Sequence, residues 1–179
     1  MLRIIVISIC LILSSCSNSN QMSENYLEKQ LGEIYEYIPL MDTINTEVSE
    51  VNVAWHLDHT LKVVNKIYRA LELSHPENYK SNFNLMRSFV FMTGKIPRGK
   101  AKSPQAVLPP SEINKEDLFT QFDSAKVFVE KIDELPPNSY FEHPVFNLLN
   151  RDQAKRFIEI HTNHHLAIVR DILEKEKIQ

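Results

Sequence analysis

Three of the seven histidines fall within five residues, HTNHH at His161 to His165, and two more lie in WHLDH, Trp55 to His59. Imidazole suits zinc, copper, iron and nickel, and it binds through a neutral ring nitrogen. Two histidines four residues apart on a helix share a face and can reach one ion, and His161 and His165 have that spacing. Three neutral histidines with a fourth position left for water or substrate form the usual catalytic or ligand-accepting arrangement. A third ring would then have to come from elsewhere in the chain. The plainer alternative is a set of core-edge histidines hydrogen-bonded to backbone or carboxylates, with no ion.

Helical geometry sorts these rings. On a wheel of about 100° per residue, Ala154, Phe157, Ile158, Ile168 and Ile172 all fall within about 60° of His161. The apolar stripe of that segment is thus centred on His161. His165 lies about 40° away, inside the stripe, whereas His164 lies about 60° to the other side, at its margin. In the upstream segment Val53, Leu57, Leu61, Val64, Ile67 and Leu71 define the inward stripe. His56 lies about 60° from its centre and His59 about 120° away. His56 is therefore the better inward candidate, with His59 as the alternative. Asp58, Lys62, Asn65 and Arg69 are expected on a solvated face. Three imidazoles in one apolar core are costly without partners, and a divalent metal offsets that cost. The expected ligands are His56, His161 and His165, with binding weakening below about pH 6 as protons compete.

Other chemistries fit poorly. A di-iron bundle needs two Glu-x-x-His motifs, and only Glu72 to His75 matches, against Pro76. The metalloprotease pattern H-E-x-x-H, a glycine-rich phosphate loop and a defensible Ser-His-Asp spacing are all missing. Asp58 and Glu159 read as surface carboxylates, Glu159 pointing about 160° from His161. Trp55 reads as helix packing. His143, in a segment with Phe141 and Phe146 that would close one end of the fold, is a further candidate for lining the pocket.

The rings need helices to hold them. Only three glycines occur in 179 residues, and between the prolines the apolar residues recur at three and four. Five helical segments follow: about 23–38, 49–74, 77–93, 115–135, and from Asn150 to about 175. Asn150 is a plausible N-cap, with Gln153 in capping-box position. No alternating run is long enough for a strand. The expected fold is all-α: an up-down four-helix bundle with an additional helix and one long proline-rich loop, Gly94 to Glu112. That loop holds Pro97, Pro104, Pro109 and Pro110, and Lys95, Arg98, Lys100 and Lys102 make it basic. Loops of such length are usually lids or binding loops.

The N-terminus reads as a leader. Arg3, an apolar run from Ile4 to Leu13, and Leu13-Ser14-Ser15-Cys16 resemble a bacterial lipoprotein signal, with Cys16 as the lipidation site. Residues 1–15 would be the signal peptide, 16–24 a flexible tether and 25–175 the helical domain, facing the periplasm from an envelope membrane. Cleavage would remove Arg3 alone among the 20 basic and 23 acidic residues, leaving a net charge near −4. That balance argues against nucleic acid as a partner. The only cysteines are Cys10, which leaves with the signal, and Cys16. Disulfides, thiolate zinc sites and a catalytic cysteine are thereby excluded.

His56-Leu57, His161 with His165, the loop GKIPRGKAKSPQAVLPP, the segment FEHPVFNLL and the run FIEIHTNHHLAIVRDIL together resemble the DinB/YfiT-like superfamily of metal-binding four-helix bundles. They look most like the branch catalogued as domain of unknown function 1569, over about Asn25 to Glu174. The resemblance implies zinc or nickel on three histidines, with water completing the shell. Some relatives are thiol-dependent transferases or metal-dependent hydrolases. This chain departs from the pattern after the last histidine, with Leu166-Ala167-Ile168 where many relatives carry Arg-Gly-Gln. The functional expectations are a metal-dependent hydrolase or transferase of a small-molecule substrate, a non-catalytic metal-binding bundle, or a structural lipoprotein without metal. A homodimer is the assembly to consider.

Overall fold

A computed structural model describes residues 26–99 and 103–176. The signal segment, Cys16 and the whole tether lie outside the described residues, as do Lys100 and Lys102. The fold is mostly helical. Its α-helices are α1 (Glu28–Tyr37), α2 (Val53–Glu72), α3 (Leu85–Thr93), α4 (Lys115–Lys131) and α5 (Arg151–Glu176). A small antiparallel hairpin, β1 (Tyr140–His143) and β2 (Asn147–Asn150), pairs Tyr140 with Asn150 and His143 with Asn147. No helix among the described residues is long and apolar enough to cross a membrane.

α2 lies at the centre, packed against α4 and α5, while α1 contacts both of those helices. α1 and the turn after it bury Leu31, Ile34 and Ile38 at the expected three- and four-residue spacing. α4 buries Leu118, Ala125 and Val129. Tyr68 of α2 stacks on Phe128 of α4 with centroids 4.3 Å apart, and Arg69 caps the same Phe128 ring. α5 starts on a capping box: Gln153 N donates to Asn150 Oδ1 at 3.0 Å, and Asn150 N donates to Gln153 Oε1 at 3.2 Å.

Two elements depart from the sequence expectations. The hairpin replaces what reads as an irregular segment, because four-residue strands are too short to show alternation. Pro144 begins its turn, Asn147 takes the left-handed backbone (φ 60°), and Nδ1 of His143 accepts the amides of Val145 and Phe146. α3 is also shorter than expected, starting at Leu85 with Asn84 as its cap rather than near Glu77. It buries only Arg87 and Val90, and Phe83, Leu85, Met86, Phe89 and Met92 face outward. The Arg87 guanidinium is held by the side chain and carbonyl of Asn82 and by the carbonyls of Phe146 and Leu148, tying α3 to the hairpin.

Candidate metal centre

The first three turns of α2 are enclosed on every side: no residue from Val53 to Asn65 is exposed. α4, α5, β1 and the short turns Ile38–Leu40 and Gln105–Val107 all pack against this helix. The single-stripe picture therefore fails there, and both His56 (5 % exposed) and His59 (2 %) are buried. Asp58, expected at the surface, is buried as well. Its carboxylate takes Lys62 Nζ at 2.5 Å and Gln121 Nε2 of α4 at 2.7 Å. Over these turns the polar face of α2 is a hydrogen-bonded seam against α4, while Arg69, further along the helix, is exposed as expected.

From α5, His161 and His165 turn inward as their wheel positions require. Four imidazoles then meet. Centroids lie 5.0 Å apart for His59 and His161, 4.8 Å for His59 and His165, 4.6 Å for His161 and His165, and 5.3 Å for His56 and His165. One ring nitrogen from each of His59, His161 and His165 lies within 4.8 Å of the others, an arrangement able to hold a metal ion. The converging set thus contains His59, the alternative on the wheel, where His56 was the better-placed candidate. His56 stands one ring further out, its Nδ1 3.0 Å from Nδ1 of His165. His164 faces the long loop, with the backbone of Ile96 and the Arg98 side chain near its ring. His143 stacks on Phe146 at 4.4 Å and packs edge-on to Phe157, which itself touches the His161 ring, so it lies outside the group.

Protonation follows from the partners. Nδ1 of His59 lies 2.9 Å from the carbonyl oxygen of Val107, which only accepts, so that nitrogen carries the proton. The lone pair of neutral His59 is then on Nε2, and Nε2 of His161 stands 3.3 Å from it. That distance allows a hydrogen bond if Nε2 of His161 carries the proton. It also matches the roughly 3.4 Å between two nitrogens bound tetrahedrally to one ion at about 2.0–2.1 Å. Nδ1 of His161 is enclosed and has no hydrogen-bond partner. A cation at the two facing Nε2 atoms would take a lone pair from each ring and offset the cost of burying them; it would leave Nδ1 of His161 without a partner, as it is without the ion. The donor set, three neutral imidazoles, suits a divalent transition metal such as zinc, copper, iron or nickel.

Burial keeps the rings neutral and ligand-ready. His161 and His165 are pushed well below the ordinary histidine value by desolvation, with the neighbouring imidazoles adding to it. Desolvation lowers His59 too, opposed by its bond to Val107 and by the Asp58 charge. His56 is pushed down to about 4 by burial, with His59, His164 and Arg98 contributing.

The long loop holds the site rather than hanging free of it. Val107 accepts from His59, and Lys62 Nζ reaches the next carbonyl, Leu108, at 3.4 Å. Trp55 stacks on His59 at 5.1 Å and meets His56 edge-on, forming one wall. Val107, Trp55 and Ser49, which binds His56 Nε2 at 3.0 Å, are site residues that sequence reasoning missed. For Trp55 a signal existed, since residues four apart share a helix face and it precedes His59 by four. The Val107 contact spans 48 residues and leaves no trace in local pattern.

The chain matches no protein-family model, no curated protein and no solved structure.

Proposed function

We propose that this protein is a metal-binding four-helix-bundle domain of the DinB/YfiT-like kind, holding one divalent ion, zinc or nickel, on His59, His161 and His165. The carrying observation is the convergence of three imidazole nitrogens within 4.8 Å, from helices about a hundred residues apart in sequence. A divalent ion bound there lowers the pKa of a bound water or polarises a substrate atom. The chain's own part is to keep three rings neutral, to orient His59 through the Val107 carbonyl, and to wall the site with Trp55.

One observation favours a binding role over catalysis. Asp58 is consumed by Lys62 and Gln121, and Glu159 by Arg156, so neither candidate carboxylate stands ready as a base. A hydrolase or transferase acting on a small molecule remains the catalytic form of the proposal, and an activity screen with and without metal separates the two. The same proposal places the domain at a bacterial envelope membrane through a lipid on Cys16, which a Cys16→Ser variant tests by losing membrane fractionation.

The test of the metal reading is elemental analysis of the full chain purified without chelators, followed by thermal unfolding with added zinc or nickel. Ion at 100 times its dissociation constant should add about 2.7 kcal/mol, or about 5–10 °C in Tm. A protein without near-stoichiometric metal and with an unmoved Tm would overturn the proposal.

A further inference from the structure

His56 is the fourth ring of the cluster, and both of its nitrogens are engaged. Nδ1 lies 3.0 Å from Nδ1 of His165, and Nε2 lies 3.0 Å from Ser49 Oγ. Ser49 Oγ also accepts the amide of Val51 at 3.3 Å. Two imidazole nitrogens can share such a contact only when one donates and the other accepts. Two proton patterns satisfy the chain. In the first, His165 Nδ1–H donates to His56, and His56 Nε2–H donates to Ser49. In the second, Ser49 donates to His56, His56 Nδ1–H donates to His165, and the remaining proton of neutral His165 sits on Nε2. Only the first leaves a lone pair on Nε2 of His165.

We infer that His56 is a positioning residue for the metal centre: it accepts the Nδ1 proton of His165 and donates to Ser49, so that His165 presents Nε2 to the ion. The inference rests on the metal-binding reading above. Ligating histidines generally donate their second N–H to a carboxylate, carbonyl or water, which sets tautomer and ring orientation. His59 has that partner in Val107, and His56 supplies it for His165. A neutral imidazole acceptor has its own tautomer to fix, and the Ser49 hydroxyl does so. The Ser49–His56 pair is accordingly no nucleophile and base: in the metal-holding pattern His56 Nε2 carries a proton and cannot take one from Ser49.

The test uses His56→Ala, His56→Asn and Ser49→Ala in the full chain. Zinc binding is read from the fluorescence of Trp55, the single tryptophan, which stacks on His59. Cobalt(II) absorption reports the ligand set. His56→Ala should weaken zinc by about 10–100-fold. His56→Asn, whose amide oxygen can accept from His165, should recover most of that loss, and Ser49→Ala should lose less than His56→Ala. The cobalt band should stay the same in all three. Nitrogen-15 shifts of zinc-loaded wild type should show His165 protonated on Nδ1. Wild-type affinity in His56→Ala would overturn the inference, as would abolished binding with an altered cobalt band that Asn fails to restore, which would make His56 a ligand. Should His56→Ala not fold, His56→Asn and Ser49→Ala decide by the same readings, and a His165 proton on Nε2 overturns the inference alone. Wild type that binds neither zinc nor cobalt overturns the metal reading itself, and this inference with it; the other outcomes leave that reading standing.

Discussion

α2 and α5 each lend two histidines to the cluster, and their sequences report them differently. α5 is amphipathic towards its two ends, where Arg156, Arg170 and Glu174 are exposed and Ala154 and Ile172 are buried; between Phe157 and Val169 none of its residues is exposed, and Thr162 and Leu166, off the predicted stripe, are buried too. Its histidines lie where the wheel puts them. α2 is amphipathic only beyond Asn65, where Lys66, Arg69 and Glu72 reach solvent. Upstream it is a central helix, and its polar residues are buried against other protein polar groups. A stretch of helix that meets solvent reports its inward face through apolar period, whereas a stretch enclosed by its neighbours has no outward face to report.

Substitutions can break this comparison. The largest effect is expected at the three converging rings. His59→Ala, His161→Ala and His165→Ala should each weaken zinc binding by more than the roughly 100-fold that a supporting partner can cost, as measured by isothermal titration. Equal losses across the two helices would show that the central position of α2 is used as fully as the apolar stripe of α5. A His59→Ala variant that binds like wild type would return α2 to the single-stripe picture.

The next effect concerns the buried seam. Asp58→Ala leaves Lys62, itself 24 % exposed, without its anion and leaves Gln121 Nε2 without an acceptor. A loss of about 2–3 kcal/mol in urea unfolding is expected, toward the low end for a broken buried pair because Lys62 retains some hydration. A change below about 0.5 kcal/mol, the size typical of surface sites, would mean that α2 has a solvated face after all.

Acidity gives a third test, on the metal-free protein. His56 and His143 are both pushed down to about 4, mainly by burial, while unfolded histidine titrates near 6.5. Between those values the unfolded chain binds more protons, so stability falls as pH drops from about 6.5 to about 4, by about 1.4 kcal/mol per unit for each such ring. His143→Phe should flatten the slope measured by urea unfolding at several pH values; an unchanged slope would contradict the assignment. The same burial lowers His161 and His165, so metal should be retained to a more acidic pH than the roughly 6 expected of solvated imidazoles.

The smallest effects belong at the margins of α5. His164→Ala should change zinc affinity only a few-fold, by loosening the loop at Ile96. Glu159→Gln, which breaks a pair with Arg156 at the surface, should cost below about 0.5 kcal/mol.

These contrasts show what was legible in the sequence. The stripe of α1, the course of α4, the Asn150–Gln153 cap and the inward pair His161 and His165 are all local patterns, each carried by residues three or four apart. The preference for His59, named only as the alternative, and the burial of Asp58 were not legible. Both depend on Val107 and Gln121, 48 and 63 residues away, and chain neighbours carry no record of such contacts. The hairpin escaped for another reason: its pairing comes from the turn at Pro144 and from side chains around His143, in strands too short to show period two.

The most direct measurement is anomalous diffraction at the zinc edge from crystals of the zinc-loaded protein. One strong peak is expected, with nitrogens of His59, His161 and His165 at about 2.0–2.1 Å and with His56 outside the coordination shell. A peak lying elsewhere, or one ligated by His56 in place of His59, would contradict it.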